Sequence, residues 1–79
     1  MTRVRLFAAL RELAGASEVQ ADGRTVGELV DALGARYGER FTAICLASSF
    51  VVNAERAGRE MVIAEGDEVA VLPPMSGGQ

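Results

Sequence analysis

One apolar stripe constrains this chain more than anything else in it. Val26, Leu29, Val30, Leu33 and Tyr37 recur at helical spacing, so they mark a helix whose one face must be buried against something flat. Its start is signalled by Thr25 and Glu28, spaced as a capping box, and its end by Gly38. Gly34 lies inside it at a cost of up to about 1 kcal/mol against alanine, which close packing would explain. In 79 residues there is room for one domain, near the lower limit of what folds without staples.

The surrounding segments supply the flat partner. Val4 and Leu6 alternate with Arg3 and Arg5 from about Arg3 onward, which predicts a strand, and Phe7 is expected in the core. Arg11 to Gly15 reads as one helical turn closed by Gly15. Ser17 to Ala21 predicts a second strand paired with the first, and Asp22-Gly23 a turn. Glu39 to Ala47 reads either as a second short helix or as an irregular turn. Phe50 to Asn53 is a β-branched apolar strand. Ala54 to Arg59 reads as a loop, Met61 to Ile63 as a short strand, and Glu65-Gly66-Asp67 as a turn. Glu68 to Leu72 alternates into a last strand, with Val69 and Val71 opposite Ala70 and Leu72.

Two strands, a crossing helix and three further strands make an α+β chain. The expected architecture is a mixed sheet of about five strands with one main helix packed across it. The first and last strands lie side by side, as in the β-grasp of ubiquitin. Residues 1–72 form the domain and residues 73–79 an extended, mobile tail, Pro73-Pro74-Met75-Ser76-Gly77-Gly78-Gln79. Two prolines cannot donate to a ladder, so the strand must stop before them. From Leu72 to Gly78 such a tail reaches roughly 20–25 Å. Without Cβ atoms, Gly77 and Gly78 would let the backbone enter a narrow channel.

Composition excludes several functions. There is no histidine, so His-based zinc sites, triads and acid–base chemistry are absent from the chain. The single cysteine, Cys45, fits a reducing, cytoplasmic setting and reads as a small buried hydrophobe rather than a persulfide carrier. All eight basic residues are arginines, spread along a chain of net charge −3, which argues against nucleic acid as a partner. No apolar run has the length of a membrane span. The carboxylates Glu65, Asp67 and Glu68 read as a solvated turn rather than a metal site. Arg5, Arg11, Arg56 and Arg59 are candidates to pair with partner carboxylates, and an apolar sheet face is expected to dock partners.

Two stretches carry a resemblance. Val4-Arg5-Leu6-Phe7-Ala8-Ala9-Leu10-Arg11-Glu12-Leu13-Ala14-Gly15 is similar to the opening of the small subunits of molybdopterin synthase. Glu65-Gly66-Asp67-Glu68-Val69-Ala70-Val71-Leu72-Pro73-Pro74-Met75-Ser76-Gly77-Gly78 resembles their close, and Thr25 to Leu29 sits where that family begins its main helix. The family is one of ubiquitin-like sulfur carriers, related to those of thiamine synthesis and tRNA thiolation. The resemblance implies that Gly78 is the attachment point. A ubiquitin-activating-type adenylyltransferase would adenylate its carboxylate, and a sulfurtransferase would replace AMP by sulfur. The thiocarboxylate would then give its sulfur to a pyranopterin bound by the synthase large subunit, in molybdenum cofactor biosynthesis. Pro73, Pro74, Met75, Ser76 and Gly77 would be the tail inserted into those partners, Met75 as an anchor. No stably bound cofactor or metal is implied, only the acyl-adenylate and thiocarboxylate as covalent intermediates, and no catalytic side chains of the chain's own.

One residue departs from the pattern. Such carriers end at Gly-Gly, whereas Gln79 follows Gly78 here. Either a peptidase removes Gln79, the reading adopted, or this terminus is not the active one. The alternative function is a ubiquitin-like modifier, whose Gly78 carboxyl would be joined to a lysine of a target, or an interaction module, or a sulfur carrier for thiamine synthesis or tRNA thiolation. With no lysine of its own, such a modifier could not build chains through its side chains.

Overall fold

The alternation at the start of the chain produces β1 (Thr2–Leu6), with Thr2, Val4 and Leu6 buried and Arg3 and Arg5 exposed. The computed structural model describes residues 1–74. After β1 come α1 (Ala8–Ala14), β2 (Glu18–Ala21), α2 (Val26–Tyr37), α3 (Glu39–Leu46), β3 (Ser49–Val52), β4 (Glu55–Ala57) and β5 (Glu68–Leu72). The five strands form one mixed sheet in the order β2-β1-β5-β3-β4. β1 and β5 pair in parallel at its centre, and the other neighbours are antiparallel. This is the expected β-grasp arrangement, with three helices where one main helix is expected.

The helical stripe does what its spacing requires. Val26, Leu29 and Leu33 are fully buried against the sheet residues Val4, Leu6, Val69 and Val71, and Val30 and Val52 are nearly so. Thr25 caps α2 by accepting from the Glu28 N–H at 3.2 Å, but Glu28 Oε1 accepts from the N–H of Arg24 at 2.8 Å rather than from Thr25. The box therefore closes one residue early. Gly34 is explained by α3: a Cβ there would collide with Thr42 Oγ1, so glycine lets the two helices approach. Phe41 and Cys45 on the inner face of α3 complete the core, and the Phe41 ring lies 5.2 Å from that of Tyr37.

Four local expectations change. The single turn expected at Arg11–Gly15 is a longer helix, α1, closed by Gly15 at φ 76°. Phe7 is half-buried at the start of α1 instead of fully in the core. Residues 54–59, expected as a loop, contain β4, joined to β3 by a two-residue turn at Asn53 and Ala54, both at positive φ. Such a turn usually announces itself as Asn-Gly or Asp-Gly; alanine in the second place hides it.

Met61–Ile63, expected as a strand, instead crosses the N-terminus of α2. The Met61 carbonyl accepts from the Val26 N–H at 3.0 Å, and the Arg59 carbonyl from the Gly27 N–H at 2.9 Å. The first N–H groups of a helix lack internal partners. This segment supplies their acceptors, leaving only an isolated bridge between Thr25 and Val62. Gly27 permits the approach, since a Cβ there would stand 3.2 Å from both the carbonyl oxygen and the guanidinium of Arg59.

The acidic turn is a clamp. Asp67 accepts from the Ala64 N–H at 2.8 Å and from Asn53 Nδ2 at 2.8 Å, while Asn53 Oδ1 accepts from the Glu68 N–H at 3.0 Å. The Ala64 N–H first, and the Asn53 amide second, hold the Asp67 carboxyl below its ordinary value of 3.8. Its contribution to stability is therefore fully present above that value and is lost as pH falls through the lower folded value. The thermal midpoint of the native chain is expected to fall more steeply below pH 4 than that of Asp67→Ala. Parallel curves for the two proteins would remove the clamp from the account.

Candidate functional site: the end of the central strand

The candidate tail begins at the end of β5, a strand flanked on both sides. Leu6 of β1 lies opposite Val71, and Ser49 of β3 opposite Leu72. Val69 and Val71 anchor β5 in the core. Strand structure stops at Leu72, as the two prolines demand, with Pro73 half-buried and Pro74 exposed. Of the expected binding residues the structure thus describes Pro73 and Pro74. Met75, Ser76, Gly77 and Gly78, and with them Gln79, lie outside the described residues.

Leu72 is 36% exposed and Leu46, three residues before Ser49, is 72% exposed. The sheet face turned away from the helices runs from the exit across the strands. One row of that face reads Glu18, Arg5, Ala70, Val51, Arg56 from β2 to β4. Its apolar part is a narrow strip, Val51, Ala70 and Leu72, between arginines. Arg3 reaches Glu18 at 3.9 Å and Arg5 reaches Glu68 at 3.7 Å. Half-exposed pairs at such distances contribute about 0–1 kcal/mol, so these guanidiniums can exchange their acids for those of a partner at little cost.

Of the four candidate arginines the structure brings Arg5 and Arg56 into this row. Arg59 is elsewhere, held by both carboxylate oxygens of Asp31 at 3.1 Å over α2. Arg11 lies in the last turn of α1. Leu46 was not singled out from the sequence, because the run Ile44-Cys45-Leu46 gives no sign of which member faces outward.

Cys45 carries no chemistry in this setting. It is 1% exposed, and burial pushes its thiol up to about 11, with Arg59 lowering and Asp31 raising it to lesser degrees. The thiolate is the nucleophile, so a neutral buried thiol is inert. Iodoacetamide at pH 8 is expected to leave Cys45 unmodified in the folded protein and to label it after denaturation. Rapid labelling of the native protein would reinstate it as a reactive site. Among the described residues no group of histidine, cysteine or acid side chains is placed to hold a metal, and no helix is long and apolar enough to cross a membrane.

Comparison with known proteins agrees with this geometry. The model of the ThiS family matches residues 4–78. Small archaeal modifier protein 1 of Haloferax volcanii is 35% identical over 88 aligned positions, covering 94% of this chain and 97% of the relative. The solution structure of small archaeal modifier protein 1 from Methanosarcina acetivorans superposes with a TM-score of 0.85 at 29% identity, over 98% of this chain and 95% of the other. One chain of the BexX/CysO complex of Amycolatopsis orientalis superposes with a TM-score of 0.81 at 26% identity, over 99% of this chain and 100% of that one.

Proposed function

The chain belongs to the ThiS family of ubiquitin-like sulfur carriers, and from that premise we propose that it presents Gly78 as an activated acyl group. Its principal use in this reading is as a ubiquitin-like modifier. The observation that carries the proposal is positional. Gly77-Gly78 follows Pro73-Pro74 directly after a central, doubly flanked strand, so a rigid domain would present the pair on a short tail of residues 73–79. The 35% identity to a protein named as a modifier favours attachment to proteins over a dedicated biosynthetic role.

The chemistry follows from the residue types. Once Gln79 is removed, the Gly78 carboxylate attacks the α-phosphorus of ATP on an activating enzyme and pyrophosphate leaves. A nucleophile then attacks the carbonyl and displaces AMP. If that nucleophile is a target lysine the product is an isopeptide; if it is the persulfide of a sulfurtransferase the product is an acyl disulfide, which a second thiol reduces to the thiocarboxylate, leaving the two thiols joined as a disulfide. A carbonyl carried on glycine is unhindered toward either. Partners would dock on the strip Val51, Ala70 and Leu72, taking Arg5 from its acid and pairing with Arg56. A cycle that needs ATP would run in the cytoplasm.

A second reading is that the thiocarboxylate serves the large subunit of molybdopterin synthase. It is favoured by the opening Val4 to Gly15 and the close Glu65 to Gly78, which resemble that enzyme's small subunits. Fragmentation mass spectrometry of the protein and its adducts from cells separates the two. Gly78 linked to lysines of other proteins supports the modifier. A pool of Gly78 thiocarboxylate without adducts, consumed on addition of large subunit and pyranopterin, supports the second reading. Gln79 retained in every molecule would reject both.

A further inference from the structure

In an antiparallel pair, opposed residues alternate between exchanging both backbone bonds and exchanging none. The Leu6 N–H donates to the Ser17 carbonyl at 2.9 Å. By the register of β1 and β2, the bonded pairs are therefore Leu6–Ser17, Val4–Val19 and Thr2–Ala21. Glu18 and Gln20 are left with their N–H and C=O groups turned outward, because β2 is an outer strand with β1 on one side. At the other edge the Asn53 N–H donates to the Glu68 carbonyl, and the same count turns only Arg56 of β4 outward. β2 is thus the wider open edge of the sheet, and an open edge is a template for another strand.

One of the outward groups is already engaged. Arg36, in the last turn of α2, donates from Nη2 to the Gln20 carbonyl at 3.0 Å. That sets a guanidinium at the edge, reaching it from the helix side of the sheet. The acids near β2 have cations of their own: Glu18 lies 3.9 Å from Arg3, and Asp22 lies 3.8 Å from the Met1 amino group. Among the described residues Arg36 has no carboxylate within 4.0 Å. Val19, on the helix side of β2, is half-buried against the core. The edge therefore offers the Glu18 N–H and C=O, the Gln20 N–H, an apolar contact at Val19 and a cation without an acid.

We propose that the outer edge of β2 binds an extended segment of a partner protein as an added antiparallel strand. An apolar residue of that segment lies opposite Val19, and an acidic residue two positions before it, opposite Ala21, pairs with Arg36. Main-chain bonds hold such a strand and alternate side chains select it. Positions opposite Glu18 and Gln20 share the open face with the Glu18 carboxylate, so the acid belongs on the helix side. A second copy fits less well. Pairing Glu18 with Gln20 of the copy sets Ser17 opposite Ala21 and brings Arg36 no acid, and the neighbouring registers oppose Glu18 to Glu18 or to Asp22, like charges in both cases. β1 separates this edge from the strip Val51, Ala70 and Leu72, so its occupancy is independent of that strip and of Gly78.

The test titrates the full chain with the peptide acetyl-Thr-Asp-Thr-Val-Thr-Val-Thr-amide and follows the protein by NMR. Saturable shifts are expected at the amides of Glu18 and Gln20 and at the Arg36 side chain, and none at the Arg56 amide. The register is read from the peptide, with the protein untouched. N-methylation of the threonine between the valines, opposite Glu18, is expected to weaken binding about tenfold by removing a bonded N–H. N-methylation of the first valine, opposite Val19, is expected to change nothing, because that N–H faces away from β2. Arg36 is exposed, so Arg36→Glu is expected to fold; it should bind about fivefold more weakly, and lysine in place of the peptide's aspartate should restore binding to that variant alone. No saturable shift at millimolar peptide, equal effects of the two N-methylations, or a charge swap without restoration would overturn the proposal. Glu18 and Gln20 amides that move on dilution of the chain alone would give the edge to a second copy and overturn it as well. No readout involves Gly78, so failure here leaves the proposed function standing.

Discussion

Deletion of Gly77 and Gly78 is expected to abolish ATP-dependent activation of the chain while leaving its thermal midpoint unchanged. In the proposed reaction the carboxylate must reach the α-phosphorus inside another enzyme, and a displacement of about 1 Å at a reacting centre already costs on the order of 10²-fold in rate. Loss of two residues withdraws the carboxylate by roughly 7 Å. A gentler variant isolates the chemistry: in a chain ending at residue 78, Gly78→Val keeps a carboxylate in place but crowds it with a branched side chain. It is expected to lose on the order of 10²-fold in ATP–pyrophosphate exchange. Among the described residues the last buried one is Val71, and two glycines bring no side chain to a core. Undiminished exchange in the deletion would show that Gly78 is not the activated residue. A midpoint lowered by more than about 8 °C, equivalent to roughly 1–2 kcal/mol in a domain of this size, would show that the segment is part of the folded core.

The largest expected effect on stability is at Phe41→Ala. Among the described residues Phe41 is the largest fully buried side chain, and it holds α3 against α2 together with Tyr37. Truncating a buried phenylalanine costs about 3–5 kcal/mol, the lost transfer energy plus that of the cavity. A domain of this size has roughly 4–12 kcal/mol in total, so the variant is expected to be marginal. Its midpoint should fall by about 15–30 °C, and urea unfolding measures the loss directly. A cost below about 1 kcal/mol would mean that α3 is not held through this residue.

Much of the fold could be read without coordinates, and the elements that could share one property: each is specified by its own residues. β1 and β5 alternate, the α2 stripe has helical spacing, Thr25 and Gly38 mark its ends, and Pro73 forbids continuation of β5. The elements misread are those whose state depends on a neighbour. Met61 to Ile63 has strand composition, yet the unpaired N–H groups of α2 take the backbone of residues 59 and 61 as acceptors. Glu55 to Ala57 has a polar, loop-like sequence, yet it forms a strand because β3 offers an edge and Asn53-Ala54 makes the turn. Phe7 looks like core, but its position at the start of α1 leaves it half-buried.

The candidate site divides in the same way. The proposed acyl-donor ending comes from the sequence by itself, because Pro73, Pro74, Gly77 and Gly78 suggest their chemistry through what they lack: two N–H donors and two Cβ atoms. It also determined the β-grasp class, since one amphipathic helix among short alternating strands has few ways to bury its stripe. Only the tertiary structure decided that Arg5 and Arg56 share a face while Arg59 is bound to Asp31. Those relations join residues far apart in the chain through strand register and helix packing, whereas hydrophobic spacing is a local quantity that carries no information about which segments become neighbours.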